Sequence, residues 1–200
     1  MFSNKFRFKI SLEVKRNIFW HLPLHALFAV LIYYGRFHLW FFIPFFFFCI
    51  ILSLVYKRWE IPGIKWFMDH LERERNFKGI PGIGALITLF TGIIITAFFR
   101  PEIGAASFMI LAVGDSVAFL IGRFGRIKSS LHENRNIEGV LAGVMLAAVS
   151  AGAFVPLIPA FVASIISLLF EFIGIRVGQF KIDDNFYIPL IAAIILTILL

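Results

Sequence analysis

The chain has 200 residues, of which 60% are hydrophobic and 16% charged, and its formal net charge is +7. Soluble domains carry about 45–50% apolar and about 25% charged residues, so this composition excludes an ordinary soluble domain. The basic residues fall in the short joins between apolar runs, which argues against a nucleic-acid-binding protein. The single cysteine, Cys49, excludes an intrachain disulfide and a cysteine-based zinc site. We therefore expect one polytopic membrane domain over residues 1–200.

The first residues are compatible with two local structures. Residues 6–14 alternate apolar and polar side chains, which is the periodicity of a strand, and an interfacial helix that begins near Ser11 is equally compatible. The apolar run that follows is succeeded by further runs instead of a small-residue cleavage site. We therefore expect no cleaved signal peptide.

Seven apolar runs approach the roughly 20 residues that a transmembrane helix needs. They predict an all-α bundle of about seven spans, at 18–35, 39–56, 81–99, 103–122, 137–154, 156–173 and 186–200. Pro156 and Pro159 are tolerated near a helix start, so the fifth and sixth runs are predicted to form a tight hairpin. The segment 57–80 interleaves aromatic and aliphatic residues with charges, which predicts an amphipathic helix in the membrane interface.

The basic residues predict the orientation of this bundle. Of the 19 lysines and arginines, all but Arg36 and Arg100 fall in segments on one side if the seven runs all cross the membrane. The positive-inside rule makes that side cytoplasmic. We expect a cytoplasmic N-terminus and a cytoplasmic active site, in a prokaryotic cell membrane rather than the endoplasmic reticulum.

The acidic residues are the candidates for chemistry. Asp115 lies inside the fourth run, roughly 10 Å below the cytoplasmic helix end. An ionisable group there costs several kcal/mol unless it is paired, metal-bound or hydrated. Simpler interpretations are a salt bridge between Asp115 and Arg123, and a helix-dipole charge at Glu138. The acids at the ends of later runs are Glu138, Glu171, Asp183 and Asp184.

Small residues flank two of these acids at helical spacing. One stripe is Gly114, Ala118 and Gly122, and the other is Gly139, Gly143, Ala147 and Ala151. Such stripes let helices approach closely, and ordinary packing explains them on its own. If the two helices touch, we expect Asp115 and Glu138 to reach one cytoplasmic pocket.

The loop between these helices is cationic and contains glycine. Its basic residues are Arg123, Arg126, Lys128 and Arg135. Cations that bind phosphate oxygens and carboxylates that hold Mg²⁺ suit a nucleoside triphosphate. A positively charged loop against anionic lipid headgroups is equally compatible with these residues. No Walker motif is present.

The block GDSVAFLIGRFG, followed by RNIEGVLAG, resembles the superfamily of CTP-dependent lipid kinases and cytidylyltransferases. That family has a Gly-Asp-x-x-Ala stretch, a Gly-Arg element and a Lys-[Ser/Thr]-x-Glu-Gly-[Ser/Thr] block. The chain departs from the last block at Arg135, Asn136 and Val140. The residues that match are Gly114, Asp115, Ala118, Gly122, Arg123, Gly125, Glu138 and Gly139.

Further matches favour the kinase branch, whose members include dolichol kinase and phytol kinase. The segment ERERNFKGIPG is similar to the acidic-basic segment of the family. Glu171 followed by Asp183, Asp184, Asn185 and Pro189 is similar to the Glu, Asp-Asn and Pro pattern of that branch. The N-terminal EVKRNIFWH is similar to its start, with the histidine, His21, one residue late. The ending typical of cytidylyltransferases is missing.

The resemblance implies a kinase that transfers the γ-phosphate of CTP to the hydroxyl of a membrane lipid alcohol, an isoprenoid such as a polyprenol or dolichol. Mg²⁺ would be held by Asp115 and Glu138. Asp183 or Asp184 would complete the metal site or take the substrate proton. The expected nucleotide-binding residues are Arg123, Lys128, Arg135, Gly122, Gly125, Gly139 and Asn185.

Two other functions use the same residues. A phosphatidate cytidylyltransferase needs the same nucleotide and metal but transfers CMP to a lipid phosphate. A small ion or solute transporter would use Asp115 and Glu138 as ligands in the membrane. The expected partners of the kinase are the lipid alcohol, the nucleotide and the bilayer, without nucleic acid. Geranylgeraniol, phytol and diacylglycerol share the acceptor chemistry of dolichol.

Overall fold

The computed structural model describes residues 14, 17–35, 39–59, 62, 81–127, 136–173, 176–177 and 180–200. Within these ranges the chain is helical, with one two-residue antiparallel strand pair, so the predicted all-α fold is confirmed. Most of the predicted interfacial helix at 57–80 lies outside the described residues, as do residues 6–13, Lys128 and Arg135.

Each of the seven apolar runs corresponds to a helix in the described part of the chain. These are α1 (a π-helical segment Asn17–His21 continued by Leu22–Tyr33), α2 (Leu39–Arg58), α3 (Ile83–Phe98), α4 (Pro101–Gly122), α5 (Ile137–Ala151), α6 (Leu157–Ile173) and α7 (Asp184–Leu199). The strands are β1 (Arg176–Val177) and β2 (Phe180–Lys181). The predicted turn between the fifth and sixth runs is confirmed, because α5 ends at Ala151 and α6 begins at Leu157.

Two of the helices are long and apolar enough to cross a membrane, as judged by length and composition alone. They are Leu39–Tyr56 within α2, whose side chains are mostly exposed, and Pro101–Gly122, whose side chains are mostly buried among the other helices. The remaining apolar helices are shorter. At 1.5 Å per residue, a helix of 15–17 residues covers about 23–26 Å, less than the roughly 30 Å of a bilayer core. Helix length therefore supports fewer spans than the predicted seven.

Helix α4 is the centre of the bundle. Its first half packs against α1 and α7, and its second half packs against α5. Helix α6 packs between α5 and α7, and α2 packs mainly on α3. The rings of Phe28 and Phe108 meet edge to face with centroids 6.2 Å apart, which joins α1 to α4 in the apolar core.

The contact between α4 and α5 depends on the predicted stripes of small residues. A Cβ on Gly139 would lie 2.4 Å from the carbonyl oxygen of Ala118, and one on Gly143 would lie 2.7 Å from that of Gly114. Such distances leave no room for a side chain, so the two backbones touch. The predicted close approach of these helices is confirmed.

Candidate metal centre

Three buried carboxylates from three helices meet at one end of the bundle. Asp115 of α4, Glu171 of α6 and Asp184 of α7 each offer an oxygen, and these oxygens lie within 4.8 Å of one another. Their exposed fractions are 3%, 6% and 8%. We call these three residues the acid cluster.

The acid cluster is electrostatically costly when its members are ionised and no cation is bound. At a separation of 4.8 Å or less and an effective dielectric constant of about 20, each ionised pair repels by at least about 3.5 kcal/mol. A divalent cation removes that repulsion and takes carboxylate oxygens as ligands. The donor set consists of oxygen atoms, which suits Mg²⁺, Ca²⁺ or Mn²⁺ better than zinc or copper.

Irregular backbone places the acids where they meet. Asp115 ends the π-helical segment Ile110–Asp115 in the middle of α4. Wide turns of this kind re-aim side chains and occur often at functional sites. Glu171 lies in the last turn of α6, and Asp184 is the first residue of α7. The neighbouring carboxylate of Asp183 caps α7 by accepting the Asn185 backbone N–H at 3.0 Å.

A histidine from α1 lies against the acid cluster. The Nε2 atom of His21 is 3.7 Å from an Asp115 carboxylate oxygen and 3.1 Å from the Asn185 side-chain oxygen. Its other ring nitrogen is 3.5 Å from the Ser116 hydroxyl. His21 also ends a π-helical segment, Asn17–His21, as Asp115 does in α4. The His21 ring is thus held by Asn185 and Ser116, and it lies beside the Asp115 carboxylate at ion-pair distance, so that it borders the acid cluster on the α1 side.

Behind His21, a second histidine fills the interior. The buried His25 ring has its Nδ1 atom 2.6 Å from the His21 carbonyl oxygen and its Nε2 atom 3.3 Å from the Thr88 hydroxyl. The two imidazole rings have centroids 4.2 Å apart. This packing holds the end of the π-helical segment against α3, and it thereby fixes the place of the His21 ring.

Glu138 does not belong to the acid cluster, and its carboxylate binds the loop that follows α4. One of its carboxylate oxygens accepts the backbone N–H groups of Arg126 at 2.8 Å and Ile127 at 3.0 Å. The Asn136 side chain donates to the carbonyl oxygens of Gly122 and Gly125 in the same loop. We call Asn136 and Glu138, with the loop 122–127 that they hold, the Glu138 clamp.

Asp115 was expected to share a pocket with Glu138, but the acids that the structure groups with it are Glu171 and Asp184. Among the described residues, the group of acids close enough to share a cation is Asp115, Glu171 and Asp184. The contact of α4 with α5 brings Glu138 near the end of α4. There its carboxylate accepts hydrogen bonds from backbone N–H groups of the loop instead of facing Asp115. A carboxylate at the first turn of a helix satisfies such donors readily.

The predicted nucleotide-binding residues that the structure describes, which exclude Lys128 and Arg135, divide into three sets. Arg123 is exposed just after α4, and its guanidinium carbon lies 5.9 Å from the centre of the Phe119 ring. Asn185 contacts His21 at the edge of the acid cluster. The glycines have packing roles: a Cβ on Gly125 would lie 2.8 Å from a Glu138 carboxylate oxygen, and Gly139 contacts α4. Gly122 faces Gly139 across that contact.

Sequence reasoning left two members of this centre out of the candidate site, Glu171 and His21. Both residues belong to the matched patterns, and both lie at helix ends on the side of Asp115 and Asp184. Their position on the same side of the bundle as Asp115 and Asp184 is the sequence feature that could have identified them. The rotation of each helix about its axis decides which acid faces which, and the apolar runs carry little of that information because they are hydrophobic on all faces.

Comparison with known proteins places the chain in a family. It is 34% identical over 149 residues to the uncharacterized protein MJ1137 of Methanocaldococcus jannaschii, and the alignment covers 74% of this chain and 73% of that protein. The chain belongs to the family of this archaeal protein. No model of a known protein family matches the chain. No solved structure matches it either.

Proposed function

We propose that the protein is a CTP-dependent kinase that transfers the γ-phosphate to the hydroxyl of a membrane lipid alcohol, of which an isoprenoid alcohol is the first candidate. The observation that carries the proposal is the acid cluster, a compact set of carboxylate oxygens inside a helical bundle. Asp115 belongs to the motif that resembles the CTP-dependent lipid kinases. Glu171 and Asp184 belong to the pattern that resembles the kinase branch.

The acid cluster would hold Mg²⁺, which neutralises phosphate charge when it is bound. The residues around it supply the remaining functions by position. His21 and Asn185 hold the cluster from the side of α1 and α7. Arg123, which is exposed on the loop after α4, and Arg135 are proposed to bind phosphate oxygens. Catalysis of phosphoryl transfer depends mainly on such positioning and charge neutralisation.

The proposal includes insertion of all seven helices into a membrane. Besides the two helices of sufficient length, its support is the apolar surface of α2, where Trp40 is 90% exposed and Phe47, Ile51 and Leu54 are also exposed. A contiguous exposed surface of large apolar residues is typical of contact with lipid or with another protein. The distribution of lysine and arginine adds the orientation, with the acid cluster at the cytoplasmic end.

Cysteine accessibility tests this arrangement. In a Cys49→Ser background, single cysteines at Ser130 and Glu102 are expected to react with impermeant maleimide from opposite faces of sealed vesicles. Labelling of both positions from the same face would refute the seven-span arrangement.

The transferred group is tested with CTP labelled at two positions. We expect [γ-³²P]CTP to label a lipid product and release CDP, and [α-³²P]CTP to leave the lipid unlabelled. A panel of alcohols, with phosphatidate as the alternative acceptor, identifies the acceptor class. Lipid labelled from the α position with release of pyrophosphate would assign the cytidylyltransferase reaction instead. No transfer from either position to any acceptor would refute both reactions and leave cation transport by the acid cluster as the next candidate.

A further inference from the structure

We infer that Glu138 is a positioning residue that fixes the basic loop 122–127 through backbone hydrogen bonds, and that phosphate is bound there by arginine side chains instead of backbone N–H groups. The role of the loop in binding phosphate rests on the proposed function. Two parts of the inference can be tested independently of the proposed function: the hydrogen bonds of Glu138, and the expectation that Glu138 does not bind metal.

The first observation is the hydrogen bonding of the carboxylate. Two consecutive backbone donors, Arg126 and Ile127, converge on one oxygen of Glu138, and the second oxygen lies 3.3 Å from the Ile127 nitrogen. Hydrogen bonds to an ionised acceptor are roughly twice as strong as neutral ones. The Ile137 backbone N–H, one residue before Glu138, donates to the Ile127 carbonyl oxygen at 3.1 Å. Residues 126 and 127 are thus tied to the start of α5 through their N–H groups and the Ile127 carbonyl group.

The second observation is the hydrogen bonding of Asn136, which contacts the loop beside Glu138. Asn136 donates from one side-chain nitrogen to the Gly122 and Gly125 carbonyl oxygens. A Cβ on Gly125 would come within 2.8 Å of both the Asn136 Cβ and a Glu138 carboxylate oxygen. The clamp therefore leaves no room for a side chain at position 125, which explains the glycine there. The departure from the family pattern at Asn136, where a hydroxyl is usual, supplies the donor that reaches both carbonyl groups.

The third observation concerns the backbone N–H groups that remain. Phe124 donates to the Ile121 carbonyl oxygen and Gly125 donates to that of Gly122, at 2.9 and 3.2 Å. With Arg126 and Ile127 bound to Glu138, every N–H group from 124 to 127 has an acceptor. Glycine-rich phosphate loops work through free N–H groups that point at the ligand. In this loop the N–H groups from 124 to 127 already have acceptors within the protein. We therefore expect phosphate to be bound by the exposed side chains of Arg123 and Arg126.

Glu138→Gln, compared with Asp115→Asn, separates a positioning role from metal ligation. We expect the Gln variant, in the full-length protein in nanodiscs, to speed amide hydrogen exchange at residues 126 and 127 by at least about tenfold, because an amide oxygen is a weaker acceptor than a carboxylate. Its dissociation constant for Mn²⁺, measured by electron paramagnetic resonance, is expected to stay within about twofold of wild type. Asp115→Asn is expected to abolish Mn²⁺ binding and leave that exchange unchanged.

Gly125→Ala is the second variant, and it disturbs the clamp without removing a carboxylate. We expect it to speed the same exchange and to keep Mn²⁺ binding. In kinase assays, both clamp variants should raise the KM for CTP by about tenfold, with the KM for the alcohol and the Mg²⁺ activation constant unchanged. Loss of Mn²⁺ binding in Glu138→Gln, or unchanged exchange at 126 and 127, would overturn the inference. An inactive wild-type protein would refute the proposed kinase, whereas the exchange and Mn²⁺ measurements would still decide the role of Glu138.

Discussion

The acid cluster and the Glu138 clamp use the same chemical group in opposite ways. In the cluster, three buried carboxylates face one another, so each adds repulsion unless a cation or a proton lies between them. In the clamp, one carboxylate at the end of the bundle faces two backbone N–H groups, so its charge is compensated within the protein. The partners of a carboxylate, more than its place in a motif, determine what it is able to do.

This difference has a consequence for substitutions that keep size and remove charge. An amide in the acid cluster would replace a charged ligand of a bound cation with a neutral and weaker one. An amide in the clamp still offers one oxygen to the loop, so part of the function persists. Charge-removing substitutions in the two regions should therefore differ in the size of their effect.

The largest effect is expected in the acid cluster. Asp115→Asn, Glu171→Gln and Asp184→Asn should each lower kinase turnover at saturating Mg²⁺ by at least about a thousandfold, because amides are poor ligands for this cation. Steady-state assays with labelled CTP measure the effect. Asp183→Asn is the matched control, since Asn caps a helix as well as Asp does and the Asp183 carboxylate caps α7. Equal losses for Asp183→Asn and Asp184→Asn would break the distinction between the two residues.

The second effect concerns stability and tests how the two regions are held together. Gly139→Ala should lower the free energy of unfolding by about 1–3 kcal/mol, because its Cβ would overlap the Ala118 carbonyl group. Thermal unfolding in detergent measures it as a lower Tm. Gly122→Ala is the control, because the nearest atoms to its Cβ would lie at 3.9 Å. If both variants kept the wild-type Tm and lost CTP binding equally, these glycines would contact nucleotide instead of packing the helices.

The smallest effect is expected for single cations of the loop. Arg123→Ala and Arg135→Ala should each raise the KM for CTP by about five- to tenfold and change the KM for the alcohol little, because a guanidinium contacts phosphate and not the lipid tail. Arg100→Ala is the control at the other end of α4, where Arg100 pairs with Glu102. A comparable rise in KM for Arg100→Ala would mean that net charge, and not position, governs nucleotide binding.

The sequence predicted the helices well and their rotations poorly. Apolar runs set the helix positions to within a few residues, and the glycine stripes correctly predicted contact between α4 and α5. The sequence predicted Glu138 as the partner of Asp115, whereas the structure groups Asp115 with Glu171 and Asp184. Glu138 and Glu171 both lie at helix ends on the same side, and the choice between them depends on the π-helical segment Ile110–Asp115, whose formation reflects tertiary packing.

The loop shows the same limit at shorter range. Its basic character was plain from the residue types, but the sequence favoured Glu138 as a metal ligand because acidic residues near a cationic loop suit Mg²⁺. The hydrogen bonds from Arg126 and Ile127 depend on the path of the backbone after α4. A local pattern of residue types does not specify that path. Likewise, both Asp183 and Asp184 accept the Asn185 N–H at the start of α7, and only the folded structure shows that Asp184 is the one that joins the acid cluster.

The most direct test of the central claim is a structure determined with Mn²⁺, using its anomalous scattering to locate the metal. We expect one anomalous peak between Asp115, Glu171 and Asp184, within about 2.5 Å of an oxygen from each carboxylate. The same crystals should keep the Glu138 carboxylate on the backbone N–H groups of Arg126 and Ile127. A peak coordinated by Glu138, or no peak at the acid cluster at saturating Mn²⁺, would contradict the central claim.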